Sequence, residues 1–134
     1  MKRMRCVIVE PEKKPYGAYI INTFETRQCI VGGRVDSLVF DDKAEIVFNE
    51  NFNSLWLPLN RVLFDEINLT NFAIRGTFII VGAPAGNSEW TSLSLEDTEK
   101  YVELFQDFQV PWNSHYCPLE HIDSYRKWLR DNPQ

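Results

Sequence analysis

The stretch Gly76-Thr77-Phe78-Ile79-Ile80-Val81-Gly82 constrains this chain most. An apolar run closed by glycine at both ends reads as a strand, and no other segment reads so cleanly. Met4 to Val9, "MRCVIV", is rich in β-branched residues and reads as a buried strand stopped at Glu10-Pro11. After the polar turn "EPEKKP", "YGAYII" supplies a second strand, so the chain opens on a hairpin-like pair. "RVDSLVF" and "AEIVF" flank Asp41-Asp42-Lys43 and predict an antiparallel hairpin. "NENFN" then turns the chain into "SLWLPLNRVLF", whereas residues 65–72 follow neither a helical nor a strand period.

Helical signals are fewer. In "NTFETRQCIVGG" either Asn22 or Thr23 can cap a short helix, Phe24, Cys29 and Ile30 or Val31 give it an apolar face, and Gly32 stops it. "APAGNSE" reads as a loop and "WTSL" as a further short strand; Ser94 then caps "LEDTEKYVELFQDF", with Asp97 as a weaker form of the capping box. Tyr101, Val102, Phe105 and Phe108 fall on one side of that helix. Pro111-Trp112 breaks it, and Pro118 opens a last helix with Leu119, Ile122, Trp128 and Leu129 as its apolar side. The expected fold class is α+β: a largely antiparallel sheet with a short helix after the second strand and two C-terminal helices. Residues 1–134 read as a single domain without repeat or linker.

With 44% hydrophobic and 25% charged residues among 134, the chain can bury a core without disulfides. Its three cysteines, Cys6, Cys29 and Cys117, lack paired spacing and point to reduced thiols, with Cys6 and Cys29 expected as buried small hydrophobes. No apolar run is long enough to span a bilayer and the N-terminus lacks a signal-peptide pattern, so a cytoplasmic location is expected. A net charge of -5 disfavours simple phosphate-backbone binding but falls short of a DNA-mimicking polyanion. No phosphate-binding glycine motif follows any strand.

Five blocks occur in order: "VIVEPEKKPY", the helix ending in "IVGGRVD", the asparagine turn before "LPLNR", "GTFIIVG", and "SLSLEDTEKYVELF". Together, over roughly Val7 to Phe105, they resemble a family of small domains of unknown function carried by phages and conjugative elements of Gram-positive bacteria. On this likeness residues 1–105 form the family-like core and 106–134 a helical C-terminal extension. The resemblance implies a mobile-element setting and supplies no catalytic residues. Short accessory proteins of such elements include anti-defence factors that bind and block host nucleases, CRISPR effectors among them.

Two candidate sites emerge from the residues. "HYCPLEH" gathers His115, Cys117 and His121, and with Pro118 at the first helical position Cys117 becomes the N-cap and His121 lies on the same face. Thiolate and imidazole suit a structural zinc, with a fourth ligand supplied through tertiary folding by Glu120, Asp123, Cys29 or Cys6, or with a water completing an open site. A cysteine nucleophile with a histidine base is the enzymatic reading of the same residues, and an exposed helix start is the plain one. The second candidate is the acidic stripe Glu96, Glu99, Glu103 and Asp107 on the Ser94 helix, with Trp112 as an aromatic anchor.

A solvated outer face explains the carboxylates by itself. The functional alternative is a patch that meets lysine and arginine on a nucleic-acid-binding partner. The leading expectation is accordingly a non-enzymatic anti-defence inhibitor that occupies a basic surface of a host effector, a Cas nuclease first among them. The alternatives are a small metal-dependent or thiol enzyme at the histidine/cysteine cluster, and a DNA-binding accessory factor of the element.

Overall fold

A computed structural model describes residues 3–83 and 89–113 of the chain. The strands are β1 (Arg3–Val9), β2 (Tyr16–Ile21), β3 (Val35–Val39), β4 (Ala44–Asn49), β5 (Leu59–Asp65), β6 (Thr70–Arg75), β7 (Phe78–Gly82) and β8 (Gln109–Pro111). The helices are α1 (Phe24–Val31) and α2 (Leu95–Leu104). The first sheet has five strands in the order β2-β1-β7-β4-β3 and the second has three in the order β6-β5-β8.

The expected α+β class, with one largely antiparallel sheet, a short helix after the second strand and two C-terminal helices, is therefore corrected. The described chain is mostly β, eight strands in two sheets, with two helices of which one is C-terminal. The helix expected from Pro118 lies outside the described residues. Two local causes underlie the correction. The pattern of the Ser94 helix extends to Phe108, but the helix ends at Leu104 and residues 109–111 leave it to pair in parallel with β5. Residues 65–72 conceal a hairpin, with β5 and β6 antiparallel from Leu59↔Arg75 to Asp65↔Thr70.

Strand β7 explains the first sheet. All five of its residues are buried, and because strand side chains alternate between faces, Phe78 and Ile80 enter one core while Ile79 and Val81 enter another. On the outer face Met4, Cys6, Ile8, Ile20 and Val47 join them beneath Val31 of α1 and the half-buried Trp90. On the inner face Val7, Val9, Ile46 and Phe48 meet Leu63, Phe72 and Ile74 of the second sheet, together with Tyr101 and Phe105 from α2 and its end. Each such side chain contributes about 1.5–3 kcal/mol by leaving water, so this double-sided burial is the main source of stability. Gly82 closes the strand where Thr91 crosses it, and a Cβ there would lie 2.7 Å from the Thr91 carbonyl oxygen.

The caps follow the sequence. Thr23 Oγ1 accepts from the Thr26 amide and Gly32, at φ 84°, ends α1. Ser94 Oγ accepts from the Asp97 amide at 3.0 Å, while the Asp97 carboxylate lies 3.8 Å from Lys43 Nζ. Cys6 is fully buried, but Cys29 is exposed and Phe24 is 52% exposed, so only Val31 of α1 is buried. The expected apolar face of this helix is thus limited to its last turn. No helix among the described residues is long and apolar enough to cross a membrane.

Candidate functional site

Helix α2 separates its two faces sharply. Thr98 and Tyr101 are buried, whereas Glu96, Glu99 and Glu103, spaced three and four residues apart, share an exposed face. Two lysines that pair with or belong to α2 are directed elsewhere: Lys43 toward Asp97, and Lys100 toward Asp41 at 3.9 Å and over the Tyr101 ring at 5.2 Å. Among the described residues no ion pair involves the three glutamates. Glu103 stands in the last turn with no basic residue there. A carboxylate beside the negative end of the helix dipole costs about 0.3–1 kcal/mol, so stability does not explain its presence. Asp107 follows beyond the helix end and is also exposed.

Trp112 does not accompany this stripe on the surface. It is 6% exposed, its ring packs 6.2 Å from that of Phe72, and its indole Nε1 donates to the Val39 carbonyl at 3.1 Å. The expected aromatic anchor is a core residue, because β8 runs beside β5 and draws the next residue inward. The apolar group next to the stripe is Leu95, 63% exposed and one turn before Glu99.

A second feature, which sequence reasoning missed, centres on Arg61. The pairing register slips between Leu59 and Arg61, a bulge at Asn60 that turns two consecutive polar side chains inward. Asn60 donates from Nδ2 to the carbonyls of Val9 and Gly76, both at 2.9 Å. Arg61 is 5% exposed, and its guanidinium donates from Nε to Phe105 O at 2.7 Å, from Nη1 to Asn60 O and Oδ1 at 3.1 and 2.9 Å, and from Nη2 to Lys13 O at 3.0 Å. Every acceptor is a neutral oxygen. Burial lowers its pKa, yet a guanidinium stays protonated, so a positive charge sits here without a carboxylate partner among the described residues. Beside it opens a cleft of about 500 Å³ lined by Glu12, Lys13, Lys14, Leu59, Asn60, Arg61, Gln106 and Phe108. The signal available in the sequence was the polar pair Asn60-Arg61 within an otherwise apolar strand, together with the two lysines of the first turn.

Other reactive groups are structural in their setting. Burial pushes the Cys6 thiol up to about 12, which keeps it protonated and inert. Burial, and then the hydrogen bond to Asp41 at 2.6 Å, raise the Tyr101 phenol as well. No cluster of three or more metal-ligating side chains occurs among the described residues. His115, Cys117 and His121 lie outside those residues.

These surfaces belong to a small, mostly β domain with a sheet-on-sheet core. The chain belongs to the family DUF3846, a domain of unknown function, whose profile matches residues 4–106. The small domain of unknown function suggested by the five sequence blocks is thereby placed in a family. No curated protein and no solved structure matches the chain.

Proposed function

We propose that this protein is a non-enzymatic anti-defence inhibitor of a phage or related mobile element. It acts in the cytoplasm of the host bacterium by binding a defence effector, a Cas nuclease first among the candidates. The mechanism is occlusion: an acidic surface covers the basic groove on which the nuclease loads guide or target nucleic acid. The observation that supports this reading is the outer face of α2. Glu96, Glu99 and Glu103 stand exposed and free of ion pairs among the described residues, and Glu103 occupies a helix end whose dipole would favour a cation. Charge complementarity of this kind accelerates docking and fixes its orientation. Leu95 offers an apolar contact at one end of the stripe.

The test uses purified components. The protein is incubated with each of a set of Cas nucleases, before or after guide loading, and target cleavage is followed. Inhibition that is strongest before guide loading is expected, and Glu99→Lys with Glu103→Lys abolishes it. The same double variant melts at the wild-type temperature or slightly above, because a lysine at 103 suits the helix end. A wild-type protein that inhibits none of the nucleases, or a double variant that inhibits as well as wild type, overturns the reading.

A further inference from the structure

The Arg61 cleft is chemically the opposite of the rest of the molecule. The whole chain carries a net charge of -5, yet the cleft lining holds Arg61, Lys13 and Lys14 against the single carboxylate of Glu12. Lys13 reaches only Glu10, at 4.0 Å with its side chain 67% exposed, a contact too solvated to hold it. Lys14 is exposed and makes no ion pair among the described residues. Arg61 uses four donor contacts out of the five N–H groups of a guanidinium, so one Nη2 hydrogen is left.

The supporting frame is cross-tied by hydrogen bonds. Arg61 ties the turn between β1 and β2 to β5 and to the end of α2, so the lysines are carried on a loop anchored by its own Lys13 carbonyl. The bulge at Asn60 aims the arginine there, and bulges beside sites commonly serve to redirect a side chain. The lining also includes two apolar groups, Leu59 at 38% and Phe108 at 50% exposure. The main chain of Phe108 is tied to β5, its carbonyl accepting from the Val62 amide at 2.9 Å. A half-exposed aromatic ring and cationic side chains lining one cleft suit a ligand with a phosphate at one end and a planar body at the other. The volume of about 500 Å³ falls within the range of small-molecule sites.

We infer that this cleft binds a free nucleotide, with its phosphates on Lys13, Lys14 and the remaining Arg61 donor and its base against Phe108. This site is independent of the α2 face, and neither proposal depends on the other.

The test is calorimetric titration of the full chain with adenosine diphosphate, adenosine and inorganic phosphate. Saturable binding of the diphosphate is expected, with adenosine and phosphate each at least about tenfold weaker, a difference of about 1.4 kcal/mol. Lys13→Ala with Lys14→Ala weakens the diphosphate at least about tenfold without changing the melting temperature, since both side chains are exposed. Phe108→Ala lowers affinity for the diphosphate but leaves that for phosphate unchanged. Absence of diphosphate binding, or equal binding by the double lysine variant, overturns the site. Equal affinity for inorganic phosphate and the diphosphate overturns the nucleotide assignment.

Discussion

The two sheets of this domain solve opposite problems. The five-stranded sheet packs apolar side chains on both faces, with β7 wholly buried between two hydrophobic clusters and Asn49 at the end of β4 as its buried polar residue among those described. The three-stranded sheet contributes Leu63, Phe72 and Ile74 to the shared core, yet Asn60, Arg61 and Asp65 of β5 are buried as well. Its turns also expose large apolar residues, with Trp56 82%, Ile67 69% and Leu69 73% accessible. Both sheets share apolar burial, and the second adds directed hydrogen bonds from Asn60 and Arg61 to particular acceptors. A polar pair is accommodated in such a domain where a bulge brings it to backbone acceptors.

The sharpest way to break this comparison is at Phe78. It is fully buried and meets Phe105 at a ring separation of 5.8 Å, so Phe78→Ala should cost about 3–5 kcal/mol in chemical denaturation. A loss below about 1 kcal/mol would show that the first sheet is not the stability centre. Arg61→Met comes next, with an expected loss of about 2–3 kcal/mol, because the carbonyls of Phe105, Asn60 and Lys13 keep their burial and lose their donor. A change within error would mean that water already satisfies them and that the second sheet is less tightly specified than the geometry indicates.

Alkaline titration sharpens the comparison from the side of the first sheet. Cys6 is raised from 9.0 to about 12 and Tyr101 is raised from 10.0, both principally by burial. The folded state therefore holds protons that the unfolded chain releases. Stability is complete below about pH 9 and falls as pH rises beyond it, by about 1.4 kcal/mol per pH unit for each group titrating only in the unfolded chain. Cys6→Val should remove the part of the decline that starts near pH 9, leaving the part due to Tyr101 and to Tyr16, whose phenol is also raised, first by burial and then by its hydrogen bond to Glu10; an unchanged profile would refute the assignment. The smallest effect is expected at Trp56, exposed and at φ 53°. Trp56→Gly relieves the left-handed strain and should leave stability unchanged or raise it by up to about 1 kcal/mol. A clear loss would mean that the exposed indole packs against the second sheet in solution.

Much of the first sheet was legible because its signals are local. "GTFIIVG", "MRCVIV" and the hairpin around Asp41 to Lys43 combine β-branched runs with clear punctuation, and Thr23, Gly32 and Ser94 mark helix ends by their own side-chain and backbone chemistry. The hairpin joining β5 to β6 lacked that punctuation. Its turn contains no glycine: Leu69 takes the left-handed position at φ 53°, and the Asp65 carboxylate accepts from the amides of Ile67 and Asn68 at 3.0 and 3.2 Å. An aspartate performing this from within a buried position leaves little trace in a periodicity pattern.

The site divides along the same line. That Glu96, Glu99 and Glu103 share a face follows from helical spacing alone. That Phe105 ends the helix, that Trp112 turns into the core, and that Arg61 is buried beside Lys13, 48 positions away in the chain, follow from contacts between distant segments. Helix faces and strand alternation are properties of a few consecutive dihedral angles. A parallel pairing with β8, a bulge at Asn60 and a carbonyl presented by a distant loop arise from contacts between segments, and their energies exist only once the two sheets have met.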